Sequence, residues 1–427
     1  MGPIQVTTLE NGMRLLTERV DYVDTVTLGV WLTHGSRDEA PDENGMFHFI
    51  EHTLFKGTAD LSARRIAEIM DGMGGVLDAY TSKEETCYSV KVPTRHLSRA
   101  LDIMAEMLCH PIFDREELDR ERMVVLEEIK MEEDNPEDLV YERNLQAFWR
   151  DHPLGRPILG TRESVSAFRQ ADVRAFHQRF YRTQAMVVAA AGKVDHQDLI
   201  AQLSARFPTS PSDLAPLARK APKPHAFQIY LPTEHHEQVN FCLSFPGISH
   251  RDPDRFAYFL LSTLLGGSMS SRLFQKIRED RGLVYHIGTF LNSTMDGGIF
   301  TIYGGCSPEH FPQVMRLSLG EVSTLVRHGP SAEELARARE HYIGSTQMSL
   351  EATQARASAM AKAHIYRGEK FDLEAGFAAL ERVSLGDVQR VAATHLRDDF
   401  LGLTAIGRLP GEQPQERWSI ADSLEVV

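Results

Sequence analysis

Thr25–Asp38, TVTLGVWLTHGSRD, is answered about two hundred residues later by Gln238–Asp252, QVNFCLSFPGISHRD. Each reads as an alternating β-strand followed by a turn that ends in an Arg-Asp pair. The likeness continues beyond both stretches. A Phe-rich apolar helix ending in Gly comes next, then a second helix, further strand, and a long helix opened by an acidic pair. Those pairs are Glu116-Glu117 in DREELDRER and Glu333-Glu334 in SAEELARAR. The simplest account is a duplicated α+β unit of about two hundred residues, an ordinary domain size. Pro208 to Pro224, where five prolines stand among Ser, Thr, Lys and Arg, reads as the connection. The expected organisation is therefore a repeat over residues 1–207, a linker over 208–225 and a second repeat over 226–427. Each repeat is expected to be an antiparallel sheet backed by helices.

Bulk composition agrees with this and narrows the function. A chain of 427 residues exceeds what one hydrophobic core usually supports. Its 42% hydrophobic and 25% charged residues are those of an ordinary globular protein. A formal net charge of -14 argues against nucleic acid and anionic membranes as partners. Met1 to Val20 alternates apolar with polar residues and lacks a basic leader before an apolar core, so a secretory signal is not expected. No apolar run approaches the roughly 20 residues that span a bilayer. The expected location is a bacterial cytoplasm, with an organelle matrix after presequence removal as the alternative. Cys87, Cys109, Cys242 and Cys306 form no CxxC or CxxH pattern and read as reduced thiols rather than as a metal or disulfide framework. Gly266-Gly267-Ser268 is followed by no Lys at phosphate-loop spacing, which argues against nucleotide binding.

Within the first repeat, Asn44 is placed to cap a helix through Phe55 that stops at Gly57. Ser62 is placed to cap a second helix that stops before Gly74-Gly75, and Val76 to Val92 reads as strand. Helices are expected over Leu97–Leu108, from Asp114 to about Glu132, and from Pro136. In the second repeat they are expected over Asp254–Leu265, Ser271–Asp280, Pro312–Arg327 and Ala332–Ser349. The first of all these helices carries Phe47-His48-Phe49-Ile50-Glu51-His52. His48 and His52 are four residues apart and project from one face, so both imidazoles can reach one metal ion. Glu51 stands at the edge of that face, able to approach a water that the metal acidifies without being a ligand itself. A third ligand is sought on the long acidic helix, which supplies Glu121, Glu127, Glu128 and Glu132. Glu121 and Glu128 lie two turns apart on one face, so one can bind metal while the other orients a histidine.

Three stretches carry a family resemblance: HFIEHTLFKGT from His48, GGVLDAYTSKEETCYSVKV from Gly74 and ERMVVLEEIKMEEDNPED from Glu121. Together the chain resembles the pitrilysin superfamily of inverted zinc peptidases with its H-x-x-E-H motif, nearest the processing-peptidase branch, over nearly its whole length. The resemblance implies a processing-peptidase-like fold and one Zn2+ per chain held by His48, His52 and Glu128. It makes Glu51 the base on the attacking water and Glu121 the supporting acid. It implies an edge strand at Asp78, Ala79, Tyr80 and Thr81 on which a peptide adds by backbone hydrogen bonds. The stretch GGSMSSRLFQKIREDRGLVY from Gly266 matches the part of the family that carries an arginine and a tyrosine seven residues apart. Here they are Arg278, for a substrate carbonyl, and Tyr285, for the oxyanion. Read without the family, Arg278 beside Glu279 and Asp280 is a surface arginine and Tyr285 a core tyrosine.

Laid against the first repeat, the second puts Ala257, Leu260 and Leu261 where His48, Glu51 and His52 stand, and Ala338 and Ser345 opposite Glu121 and Glu128. The second repeat is therefore expected to be metal-free and to serve as substrate-binding wall. The implied activity is endopeptidase cleavage of unfolded or extended peptides. The acidic run Glu127, Glu128, Glu132, Glu133, Asp134, Glu137 and Asp138 reads either as a solvated helix end or, as the resemblance implies, as a contact for basic substrate residues near the cut. A homodimer is expected, or a heterodimer with a related chain, because this chain carries two repeats where single-chain relatives carry four. Two other classes compete with this one. A non-catalytic core subunit of a larger complex predicts a damaged motif, whereas all five metal-site positions are intact here. A zinc lyase with the same motif has a single short domain.

Overall fold

The computed structural model describes residues 2–209, 219–233, 236–409 and 417–421, so 210–218 of the expected linker lie outside the described residues. Two sheets form. The first holds β1 (Gln5–Thr8), β2 (Arg14–Arg19), β3 (Thr25–Leu32), β4 (Val76–Thr81), β5 (Thr86–Pro93) and β6 (Met186–Gly192), in the order β1-β2-β6-β3-β5-β4. The second holds β7 (Phe227–Pro232), β8 (Val239–Pro246), β9 (Val284–Ser293), β10 (Gly298–Cys306) and β11 (Gly402–Gly407), in the order β7-β11-β8-β10-β9. Every neighbour pair is antiparallel except one in each sheet: β2 with β6, and β7 with β11. The parallel pair falls at the same place in both, beside the strand that pairs with β3 or β8. The duplication read from Thr25–Asp38 and Gln238–Asp252 is thus a duplication of topology.

The first five helices are α1 (Met46–Leu54), α2 (Ala63–Met73), α3 (Leu97–Cys109), α4 (Arg115–Asp134) and α5 (Pro136–Phe148). Strand β6, MVVAAAG, is buried along its whole length, which explains why its sequence does not alternate. One of its faces joins the main core with Val188 and Ala190 beside Phe47, Phe49, Leu101 and Phe176. Its other face, Val187, Ala189 and Ala191, meets Ala357, Met360 and Ala361 of the helix Thr353–Lys362. The second sheet is covered in the matching way by α5, where Val140 packs on Cys242 and Ile406. Buried Asn144 Nδ2 donates to Ser244 Oγ at 2.7 Å, and Ser244 bonds Thr301 Oγ1 at 2.9 Å.

Each sheet therefore takes the cover of its second face from the other half of the sequence. The compact units are 1–130 with 156–219 and 348–371, and 131–155 with 220–347 and 372–427. A cut at 208–225 separates the strands of the two sheets but not these units. In the sequence Pro136 marks the start of α5 without saying which sheet it covers, and the Thr353–Lys362 helix is not among those expected. Two further boundaries differ from expectation. Val76–Val92 is a hairpin, turned at Ser82–Glu85 where Ser82 N donates to Glu85 O at 2.8 Å. The helix expected over Ser271–Asp280 is wound wider than an α-helix over Phe274–Glu279. The four cysteines are free, with Cys87, Cys242 and Cys306 buried. Among the described residues no helix is long and apolar enough to cross a membrane.

The first core gives a pH prediction. His177, on the helix Gln170–Phe180, places its Nε2 3.0 Å from Leu108 O and stacks on Tyr181 with ring centroids 4.5 Å apart. Burial pushes its pKa down to about 4, against the smaller opposing pull of the Leu108 carbonyl. The folded value lies below the unfolded one, so this contribution is complete above about pH 6.5 and is lost as pH falls toward 4. By pH 5 the loss is roughly 2 kcal/mol. Urea unfolding at pH 7.5 and pH 5 should show a smaller drop for His177→Gln than for the wild type. Equal drops would remove His177 as the cause.

Candidate metal centre

Helix α1 buries Phe47, Phe49, Ile50 and Leu54 and leaves His48, Glu51 and His52 half-buried on its other side. Phe47 lies edge-on to Phe176 at 4.8 Å between centroids, which fixes the rotation of the helix about its axis. The helix does not begin with an Asn44 cap. Its capping position is Gly45, at φ +94°, where a side chain would meet Leu159 O at 2.6 Å and Gly160 Cα at 2.7 Å. The free N–H groups of Gly45 and Phe47 donate instead to the buried Glu39 carboxylate, each at 2.8 Å, and Asn44 Nδ2 steadies it at 3.1 Å. Burial outweighs these bonds and raises the Glu39 pKa to about 7.

Helix α4 buries Leu118, Val125 and Ile129, with Glu121 on the same side, and brings Glu128 to the histidines. His48 Nε2 lies 3.7 Å and His52 Nε2 3.5 Å from Glu128 Oε2. The three ligand atoms all lie within 4.8 Å of one another, and among the described residues no other trio of His, Cys, Asp or Glu does this. Ligands about 2.1 Å from a tetrahedral zinc stand about 3.4 Å apart, so the cluster has the dimensions of a zinc site. Glu128 Oε2 is buried without a hydrogen-bond partner. A buried carboxylate oxygen left in this way is costly, and a cation between it and the two imidazoles removes the cost.

Charge around the cluster suits that reading. Burial, then the neighbouring His52, pushes the His48 pKa down to about 3, so its imidazole is in the neutral, metal-binding form. Burial also opposes charge on His52, but the Glu121 hydrogen bond and the Glu128 and Glu51 carboxylates outweigh it and raise its pKa. His52 Nδ1 donates to Glu121 Oε2 at 3.3 Å, and Glu121 Oε1 holds Lys56 Nζ at 2.7 Å. Glu121 thus orients His52 rather than competing for the metal position. Glu51 Oε2 accepts from Thr81 Oγ1 at 2.6 Å, while burial raises the Glu51 pKa above the usual carboxylate range against that bond. Of the alternatives on α4, Glu127 pairs with Lys130 at 3.4 Å on the exposed side.

The other expected residues separate by unit. Asp78, Ala79, Tyr80 and Thr81 lie on β4, which ends its sheet and so has one edge without a neighbouring strand among the described residues. Arg278 and Tyr285 lie in the second unit, the arginine over the Phe274 ring at 4.6 Å and near the Tyr285 ring at 5.8 Å. Tyr285 is 78% exposed on edge strand β9, so it is not a core residue. Ala257, Leu260, Leu261 and Ala338 are buried in the second core, and Ser345 Oγ turns back to Tyr342 O. Sequence reasoning missed Glu39 and Lys56. Lys56, one turn beyond His52, was legible from spacing. Glu39 acts from a loop that no helical period marks.

A duplicated α+β chain whose first repeat bears the one His-His-Glu cluster found among the described residues defines the class. Residues 14–162 match insulinase (peptidase family M16), and residues 167–342 match the peptidase M16 inactive domain. An uncharacterized zinc protease of Streptomyces coelicolor is 37% identical over 97% of this chain and 91% of its own. One of Bacillus subtilis is 37% identical over 92% of this chain and 96% of its own. A Helicobacter pylori protease structure superposes with a TM-score of 0.87 at 21% identity, covering 95% of this chain and all 100% of that one. The chain belongs to peptidase family M16.

Proposed function

We propose that the chain is a zinc endopeptidase for unfolded or extended peptides, with one zinc held by His48, His52 and Glu128. The observation that carries this is the buried, unpartnered Glu128 oxygen facing two imidazole nitrogens, with Glu51 on the same face of α1. Zinc in that position supplies a Lewis acid that acidifies a water and polarises the scissile carbonyl. Glu51 takes the proton of the attacking water and passes it to the leaving amine. Glu121 holds His52 in register through its Nδ1. Strand β4 offers backbone donors and acceptors at the sheet edge, which accounts for binding extended chains with little demand on their sequence. A preference for basic side chains has support in the second unit, where a cavity of about 380 Å³ has Glu137 and Asp138 beside Tyr141, Phe290 and Tyr303. Purified protein is expected to carry one zinc per chain and to cut unfolded peptides, losing activity on chelation and regaining it with zinc. Two tight zincs, or cleavage indifferent to chelation, would overturn the reading.

The active form is proposed to be a homodimer in which Arg278 and Tyr285 of one chain serve the zinc of the other. Support comes from the exposure of Tyr285, beside the half-buried Arg278, and from the absence of a metal cluster among the described residues of their own unit. A closed two-fold makes two such sites at once. Mixing inactive Glu51→Gln with inactive Tyr285→Phe chains should restore activity, up to one good site per mixed dimer. A mixture as inactive as its parents after proven subunit exchange would refute sharing.

A further inference from the structure

Among the described residues the Thr81 hydroxyl is the one side-chain donor that reaches the Glu51 carboxylate, at 2.6 Å, and it stands on the strand proposed to receive the substrate. Alternation along β4 puts Leu77, Ala79 and Thr81 on the face toward the core and α1, and Val76, Asp78 and Tyr80 on the other. The strand is fixed from that other face, where the Tyr80 hydroxyl accepts from Trp31 Nε1 at 3.1 Å and donates to Glu85 Oε1 at 2.9 Å. It is fixed from its end as well, where Ser36 N donates to Ser82 O at 3.0 Å and Arg37 N to Lys83 O at 2.8 Å. Thr81 therefore presents its hydroxyl from a backbone held both on its far face and at its end.

We infer that Thr81 is a positioning residue for Glu51, and that through it the edge strand which binds the peptide also sets the base. A threonine hydroxyl has one proton, and here it goes to Oε2. That divides the carboxylate: Oε2 is the held oxygen and Oε1 the one left for the proton of the attacking water. Without the hydroxyl the carboxylate keeps its place in sequence but gains rotation about its last bonds, and a misplacement of about 1 Å in a reacting group costs up to about 100-fold in rate. The inference rests on the peptidase reading for its rate test, but its second test does not need turnover.

Thr81→Val keeps the branched shape suited to a strand and removes the hydroxyl, while Thr81→Ser keeps the hydroxyl and removes the methyl. Three readouts are compared on zinc-loaded protein: zinc content, kcat and KM on an unfolded peptide, and calorimetric affinity for a peptide hydroxamate, a zinc-binding probe whose acid proton a neighbouring carboxylate must accept. For Thr81→Val the expected result is a kcat reduced 10- to 100-fold, hydroxamate affinity reduced about 10-fold, and KM and zinc content within twofold of wild type. Thr81→Ser should stay within about threefold on every readout. A Val variant with wild-type kcat and hydroxamate affinity overturns the inference. So does a change confined to KM, which would make Thr81 a peptide contact only, or a Ser variant as weak as Val, which would make the methyl the active part. If the wild type binds zinc but cuts no peptide, the peptidase reading fails and the hydroxamate comparison still decides Thr81.

Discussion

Glu51→Gln is expected to lower peptide cleavage by three orders of magnitude or more, toward the upper end of the roughly 100- to 10,000-fold that a positioned base contributes. Zinc content should not change. The reason is local: glutamine has the same shape as glutamate, and its amide oxygen can accept the Thr81 hydroxyl just as Glu51 Oε2 does. Glu51 is not among the three residues whose ligand atoms converge. What the substitution removes is the ability to take a proton. The measurement is kcat/KM on an unfolded peptide, together with zinc analysis of the same preparation. Retained cleavage would move the base to another group, and lost zinc would mean that Glu51 is a ligand. A non-catalytic subunit predicts a third result, no cleavage in the wild type either.

Much of this site is legible in the sequence because its parts repeat at helical spacing. His48 and His52 share a face because they are four residues apart on α1, and Glu121 and Glu128 share one because they are seven apart on α4. What spacing does not give is the contact between α1 and α4, and the choice of Glu128 over Glu127 came from resemblance. The structure supplies a physical reason for that choice. Val125 and Ile129 face the core, which turns Glu121 and Glu128 toward α1 and leaves Glu127 to Lys130. The exchanged helices were the harder problem. Pattern shows that α5 has a buried side, but Val140 fits an apolar sheet face of either repeat. The choice is made by matched partners such as Asn144 with Ser244, a hundred residues away. Glu39 was invisible for a related reason, since it caps α1 from outside the helix, eight residues before Phe47.

Glu128→Gln and Glu121→Gln should both weaken zinc binding, but by different amounts and with opposite effects on the zinc-free protein. Glu128 is the anionic ligand of the trio, and a neutral amide in its place is a poor donor to zinc. Sharing a typical structural-zinc binding energy among its ligands gives about 3 kcal/mol for one of them, a loss of more than 100-fold in affinity. Glu121 acts one bond removed, through His52 Nδ1, and such partners are typically worth about 10- to 100-fold. Without zinc the order reverses. Glu128→Gln removes a carboxylate whose Oε2 is buried and unpartnered, so that variant should be at least as stable as the wild type. Glu121→Gln removes the negative charge that pairs with the half-buried Lys56 at 2.7 Å and should cost on the order of 1–2 kcal/mol. Competition with a chelator gives the affinities, and urea unfolding in excess chelator gives the stabilities. Equal zinc loss in the two variants would make Glu121 a ligand in its own right. Full zinc retention in Glu128→Gln would hand the third position to another carboxylate of α4.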